Sequence, residues 1–249
     1  MGKSRLLTRR PFRDPHHTIS DVALIGGGST PRPGEVSLAH NGVLFLDEFA
    51  EFSRSSLEVL REPLENGRVT ISRAKETVSY PARFTLIAAM NPCPCGYLGD
   101  PQRECTCTDG EIRRYGQKIS GPLLDRIDLH VSVMRPKYSE LTATIQGEPS
   151  CDIAKRVAEA RAVQAERLSR WHMQSNAQMG HRQLKETCQL DAEGTELLRV
   201  VFEKLHLSAR SYDRIIKVAR TIADLAGSDQ IRPEHVAEAI SFRNMINGK

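Results

Sequence analysis

The run Val43-Leu44-Phe45-Leu46 constrains this chain more than any other stretch. It is apolar at every position, starts after Gly42 and ends on two adjacent acids, Asp47 and Glu48. A strand with that pattern reads as covered on both faces, which is the habit of parallel sheets flanked by helices. Two further runs read the same way. Residues 84–90 end at Asn91-Pro92, and residues 127–133 close before Pro136. Between the first two, Ser53 can cap a helix in which Leu57, Leu60 and Leu64 recur at helical spacing until Gly67 stops it, with Pro63 as an awkward member. Residues 69–80 alternate on either side of Arg73 to Glu76 and predict a β-hairpin.

The texture changes further on. Residues 136–152 contain Pro136, Gly147, Pro149 and Ser150 and read as a linker. Beyond them come four amphipathic helical patterns: 152–170, with Ile153, Val157, Ala160 and Gln164 on one side, then 195–205, 211–227 and 232–245. The sequence therefore predicts an α/β domain over 1–135 and an all-helical domain over 153–249. Charge is mild: 35 basic against 31 acidic residues gives +4, shared between both halves. That permits a nucleic-acid partner without arguing for one. No apolar run approaches the roughly 20 residues of a membrane span, and the basic N-terminus lacks the apolar core of a secretory signal. The expected location is cytoplasmic, with no membrane partner.

Acids at the C-terminal end of a parallel strand sit where α/β sheets bind ligands. In nucleotide hydrolysis the two have distinct work: Asp47 would hold Mg²⁺ and Glu48 would orient and polarise the attacking water, the arrangement of a Walker B motif. Two solvated acids at a strand end are the plainer alternative. Asn91 ends the next apolar run and could position the same water. Arg126 precedes the third run, as a surface ion-pair member or as a finger reaching a neighbouring subunit's nucleotide. Arg210 starts a helix in the second domain and could lean over a phosphate.

The order of these stretches, from "RPFRDPHHTIS" through "GEVSLAHNGVLFLDEF", "LREPLENGRVTISRAKETVSYPARFTLIAAMNPCPCG" and "ISGPLLDRIDLH" to "LSARSYDRIIKVARTIADL", closely resembles the magnesium-chelatase-like AAA+ ATPases of the YifB/ComM group. The resemblance spans nearly the whole chain. It implies an AAA+ core followed by a helical lid domain, with Asp47 and Glu48 as Walker B, Asn91 as sensor 1, Arg126 as arginine finger and Arg210 as sensor 2. It further implies ATP and Mg²⁺ as ligands, a homo-oligomeric ring, and a motor that migrates branched DNA. An ATPase that remodels a protein partner in the manner of chelatases or chaperones, and a non-hydrolysing module, are the alternatives. The resemblance places the hairpin at 69–80 in the ring's pore, where Arg73 and Lys75 at its tip would grip phosphates.

One part of the family pattern is missing. The phosphate loop G-x-x-x-x-G-K-[ST] does not occur. Gly2-Lys3-Ser4 has no glycine loop before it, and the glycines at 26–28 have no lysine after them. The chain is therefore expected to be the C-terminal portion of a longer protein, inactive alone. Its core is expected to lack the strand that feeds that loop, leaving 84–90 and 127–133 with exposed hydrophobic edges. Finally, four of the six cysteines fall in "CPCGYLGDPQRECTC" as two C-x-C pairs, Cys93 with Cys95 and Cys105 with Cys107. Four thiolates converging on one point suit tetrahedral Zn²⁺, although a single intervening residue is tighter than zinc pairs usually show. Four reduced thiols in a surface loop are the alternative.

Overall fold

A computed structural model describes residues 9–73, 76–136, 138, 147–205 and 207–243. Contacts divide the chain into two compact units, Met1–Ile127 and Asp128–Lys249. The boundary falls ahead of residues 136–152, most of which lie outside the described residues.

The first unit is built on a three-stranded sheet. Strand β4 (Val43–Leu46) is central and pairs in parallel with β1 (Phe12–Arg13) on one side and β7 (Thr85–Ala88) on the other. Gly42 is required at the entry to β4. A Cβ there would lie 2.0 Å from the Pro11 carbonyl oxygen. The same carbonyl accepts from the Val43 N–H at 2.8 Å. Burial along β4 alternates: Leu44 and Leu46 are fully buried, while Val43 and Phe45 are only half-buried. The expectation of two equally covered faces is thus met on one side only. On the other, Phe45 stacks on Phe12, itself 62% exposed.

Leu44 and Leu46 pack into a core with Phe49, Phe52, Leu57, Leu60 and Leu123. The helix expected after Ser53 is two short ones, α3 (Arg54–Glu58) and α4 (Arg61–Asn66). Ser53 caps the first, accepting from the Ser56 N–H, and Gly67 ends the second at φ 65°. Pro63 falls in the first turn of α4, where no intrahelical N–H is needed, so the break before it resolves the conflict.

The hairpin forms as expected, β5 (Arg68–Ser72) against β6 (Thr77–Pro81), with Val69 and Ile71 buried on one face. Two very short strands, β2 (Gly26–Gly27) and β3 (Arg32–Pro33), make a second antiparallel pair. Residues 127–133 do not form the strand their apolar pattern suggested. A strand needs a neighbour for its backbone groups, and no sheet pairing reaches this run among the described residues. The His130 N–H donates instead to the Phe242 carbonyl at 2.8 Å within the second unit. Leu129, Val131 and Val133 stay exposed.

The second unit is helical: α7 (Ser150–Arg167), α8 (His181–Thr187), α9 (Ala192–Lys204), α10 (Ala209–Leu225) and α11 (Pro233–Ser241). Helix α10 is the hub, burying Ile215, Ile216, Ala219 and Ala223. Ala160 and Gln164 of α7 are buried as its periodicity predicted, whereas Ile153 and Val157 are exposed. No described helix is long and apolar enough to cross a membrane.

A buried ionic knot ties this unit together. The Asp224 side chain is 0% exposed. Arg167 grips it bidentately at 2.8 and 2.7 Å, Arg220 donates through Nε at 3.0 Å, and Asn176 Nδ2 donates at 2.8 Å. The rest of the Arg220 guanidinium donates to the Ser228 and Asp229 carbonyls, closing the turn after α10. Removing one partner of such a knot strands buried charge. Asp224→Ala should therefore cost roughly 3–5 kcal/mol, read as a lowered urea midpoint. Arg199→Ala, which deletes an exposed pairing with Glu196 and Glu203, should leave the midpoint unchanged.

Candidate functional site

The C-terminal end of β4 turns sharply. Glu48 has left-handed backbone angles, φ 52° and ψ 43°, which a non-glycine residue seldom adopts. Its neighbours hold it there. Phe49, 2% exposed, is anchored in the core, and its N–H donates to the Ala89 carbonyl at 2.9 Å. Asp47 Oδ1 accepts from the Glu48 N–H at 2.8 Å. Both carboxylates are exposed on the crest of this turn. The apolar residues on either side go inward, so the turn presents the acids to solvent and nothing else. An exposed aspartate with one oxygen committed to the backbone suits Mg²⁺, which keeps most of its waters and takes one or two carboxylates.

Glu48 is not alone. His17 Nδ1 lies 2.8 Å from Glu48 Oε2. The His17 ring is fixed by His16, with centroids 4.1 Å apart, and by an edge contact to Phe52. Nearby, Arg13 of β1 forms a bidentate pair with Glu35, which raises the Arg13 pKa mainly through the hydrogen bond. Sequence reading missed His17 and the Arg13–Glu35 pair. The only available signal was two adjacent histidines following a short strand too small to recognise.

Asn91 is exposed and lies two residues beyond Ala89, the last residue bonded across to β4. Asn91 therefore leaves the sheet at the same end as Asp47 and Glu48, two residues past the Ala89 carbonyl that accepts from the Phe49 N–H. Directly after it comes the cysteine loop. Cys93 is fully buried, and its sulfur lies 3.4 Å from Cys95 and 3.7 Å from Cys105, with Cys95 and Cys105 at 3.5 Å. The four sulfurs, Cys107 included, lie within 4.8 Å of one another. The Tyr97 backbone N–H leads the contacts holding the Cys95 thiol down to about 5, while burial pushes Cys107 up to about 12. The loop leads into helix α5 (Asp109–Gly116), capped by Thr108 and Glu111. Tyr115 of α5 is buried in the core, and burial, then Glu51, Cys93 and Glu48, push its hydroxyl pKa up.

The arginines are placed differently from one another. Arg126 is buried, its side chain 6% exposed, donating to the Pro122 carbonyl at 2.6 Å and to Glu65. Arg210 is exposed in the first turn of α10, in the second unit. Arg73 is exposed at the end of β5, its backbone N–H donating to the Glu76 carbonyl. Its guanidinium approaches Gly27, where a Cβ would sit 3.4 Å from Nη2. Tyr80 of β6 donates to the Pro31 carbonyl, so the hairpin and the glycine loop at 26–30 form one surface. Lys75 lies outside the described residues.

Residues 1–141 match the magnesium chelatase ChlI subunit family, and residues 147–243 match the C-terminal part of that subunit. This chain belongs to the magnesium chelatase ChlI family. It is 45% identical over 240 residues to the competence protein ComM of Haemophilus influenzae, covering 96% of this chain and 46% of the relative. It is 45% identical over 237 residues to YifB of Escherichia coli, covering 94% and 46%. With the chloroplastic magnesium-chelatase subunit ChlI-2 of Arabidopsis thaliana it shares 26% over 221 residues, 88% of this chain and 47% of the relative. The chain thus falls in the YifB/ComM group and spans about half the length of the curated relatives it matches. The parallel sheet with its helices, followed by a helical domain, is the AAA+ arrangement of the chelatase family.

The burial of Arg126 bears on its work in this family member. A guanidinium bonded to a carboxylate and a carbonyl within its own unit supports the local fold. Arg126→Ala should lower the unfolding free energy by roughly 1.5–3 kcal/mol, the range for hydrogen bonds to charged groups. Glu65→Gln should also destabilise, because it leaves the buried Arg126 guanidinium facing a neutral amide oxygen in place of the carboxylate. Equal urea midpoints for Arg126→Ala and wild type would remove this structural role.

Proposed function

We propose that this chain is the portion of a ring-forming AAA+ motor that positions water for ATP hydrolysis and grips DNA, working in the cytoplasm. The observation that carries the reading is the exposed Asp47–Glu48 turn at the end of a central parallel strand, where α/β folds place ligand chemistry. The phosphate loop would come from outside these residues.

On this reading, Asp47 would hold Mg²⁺, which would supply positive charge to the phosphates. Glu48 accepts a hydrogen bond from the attacking water and aligns it for in-line displacement. Asn91 holds the same water from the neighbouring strand. His17 is a positioning residue: it fixes the Glu48 carboxylate before water and nucleotide arrive. Arg126 would act on a neighbouring subunit's nucleotide, which requires it to leave Glu65. Arg210 would steady a phosphate from the helical domain.

DNA is favoured over a protein substrate by the hairpin. Arg73 stands exposed at its end, and the sequence puts Lys75 at the tip. The pair contributes sequence-independent phosphate contacts.

The test uses a longer protein that includes the phosphate loop. Glu48→Gln should retain ATP binding while turnover falls by roughly 10²–10⁴-fold, the usual worth of a positioned acid–base group. Near-normal turnover would remove Glu48 from the mechanism. DNA should stimulate hydrolysis in the wild type; stimulation by a protein partner and none by DNA would indicate a remodeller instead.

The hairpin has its own test. Arg73→Ala and Lys75→Ala should each weaken binding to all DNA sequences alike and flatten the salt slope by about one. Slopes identical to wild type would leave both as ordinary turn residues.

A further inference from the structure

We propose that Cys93, Cys95, Cys105 and Cys107 form a structural tetrathiolate zinc site that staples the end of β7 to the start of α5. This holds whether or not the chain hydrolyses nucleotide.

The first argument is distance. Tetrahedral zinc with bonds near 2.3 Å requires its sulfurs to lie about 3.8 Å apart. The separations of 3.4, 3.7 and 3.5 Å among Cys93, Cys95 and Cys105 sit at that spacing. A disulfide needs sulfurs near 2.0 Å, and all four cysteines are free. An iron–sulfur cluster places several irons and sulfides between its thiolates, which would hold them further apart than this.

The second argument is the backbone around the sulfurs. Backbone N–H groups lie near the sulfurs: those of Tyr97 and Thr106 near Cys95, that of Cys107 near Cys105, and that of Cys95 near Cys107. Amides aimed at sulfur stabilise thiolate ligands and fix their direction, the usual outer support of a metal site. The tight C-x-C spacing is accommodated by a sharp turn after the first pair. The Gly96 N–H donates to the Cys93 carbonyl at 3.0 Å, and Gly96 has φ +83°, which favours glycine.

The third argument is what the staple would connect. The nine-residue loop at 96–104 has little apolar anchorage. It is held by Asp100, which accepts from the Gln102 and Arg103 N–H groups, and by Arg103, which stacks over Tyr97. The sulfurs close that loop at its two ends. One end leaves the sheet at Asn91, and a Cβ on Gly96 would lie 3.9 Å from the Asn91 side chain. The other enters α5, whose Tyr115 packs in the same core as Phe49. All four ligands come from protein, so no coordination position remains for catalysis.

The test is elemental analysis of the chain purified without chelator. One zinc per chain is expected. Zinc removal with a chelator, and Cys105→Ser, should lower the melting temperature together with metal content. Should Cys105→Ser fail to fold, Cys105→His, which keeps a zinc ligand, should restore both. Cys151→Ser and Cys188→Ser, which lie outside the cluster, should retain their zinc. Cobalt reloaded into stripped protein should show sulfur-to-cobalt charge-transfer bands and the strong visible absorption of a tetrahedral thiolate site. Metal-free protein with four freely titrating thiols and a chelator-insensitive melting temperature overturns the proposal. So does iron in place of zinc, or a Cys93–Cys95 disulfide.

Discussion

The fold of the first unit depends on the pairing of β4 with β7. The Thr85 N–H donates to the Gly42 carbonyl, the Ala89 N–H to the Leu46 carbonyl, and the Phe49 N–H back to the Ala89 carbonyl, each at 2.9 Å. These bonds set a register that Leu44 and Leu46 enforce, because a slip by one residue would turn both from the core to the half-covered face. The two acids have no say in that choice. They fall at the crest because the apolar pattern runs out there, and because Phe49 must re-enter the core. The left-handed turn at Glu48 costs on the order of 1–3 kcal/mol. Core burial of Phe49, Ala50 and Phe52 outweighs it. Under the proposed function, that over-determined conformation fixes the direction of the Glu48 carboxylate.

The same pairing delivers the cysteine loop. Because β7 ends in register with β4, the chain emerges at Asn91 at the same end of the sheet as the Glu48 turn, and Cys93 is buried two residues later. The loop and the acids are thus neighbours through backbone geometry, with Tyr115 between them: its hydroxyl responds to Glu51, Cys93 and Glu48 together. The loop is continuous with Asn91 at one end and with the capped N-terminus of α5 at the other.

How much of this was legible depended on the range of the signal. Strands β4 and β7, the hairpin, the Ser53 cap and the Gly67 stop are written in local pattern, and so are four helices of the second unit, though not α8. The two acids, Asn91 and the cysteine pairs could be named because each ends or follows a recognisable element. Other features were not legible, among them the Arg13–Glu35 pair and helices α5 and α8. Strand β1 is two residues long and exists only through its pairing with β4. His17 reaches Glu48 across 31 residues of sequence, which no local pattern encodes. Residues 127–133 carry a strand's composition, but composition cannot supply a hydrogen-bonding neighbour. The expected hydrophobic edge survives in part. β7 pairs only with β4 among the described residues, and Ile87 is 47% exposed. Leu129, Val131 and Val133 remain uncovered in the second unit without a ladder.

Under the proposed function, Arg126 would serve two demands. Its bond to Glu65 is charge-assisted, and leaving it costs about 1.5–3 kcal/mol. A finger role on a neighbouring nucleotide would return that energy, because a phosphate oxygen replaces the carboxylate oxygen with similar geometry. Glu65, 40% exposed, can pass to water when released, whereas an arginine withdrawn without a phosphate to meet it would lose its partners. The exchange is therefore close to balanced only when an anion is present at the adjoining surface. Under the proposed function, the Glu65 pair stores Arg126 in an isolated subunit and yields it in a nucleotide-loaded ring. The burial of Arg126 is then compatible with that role.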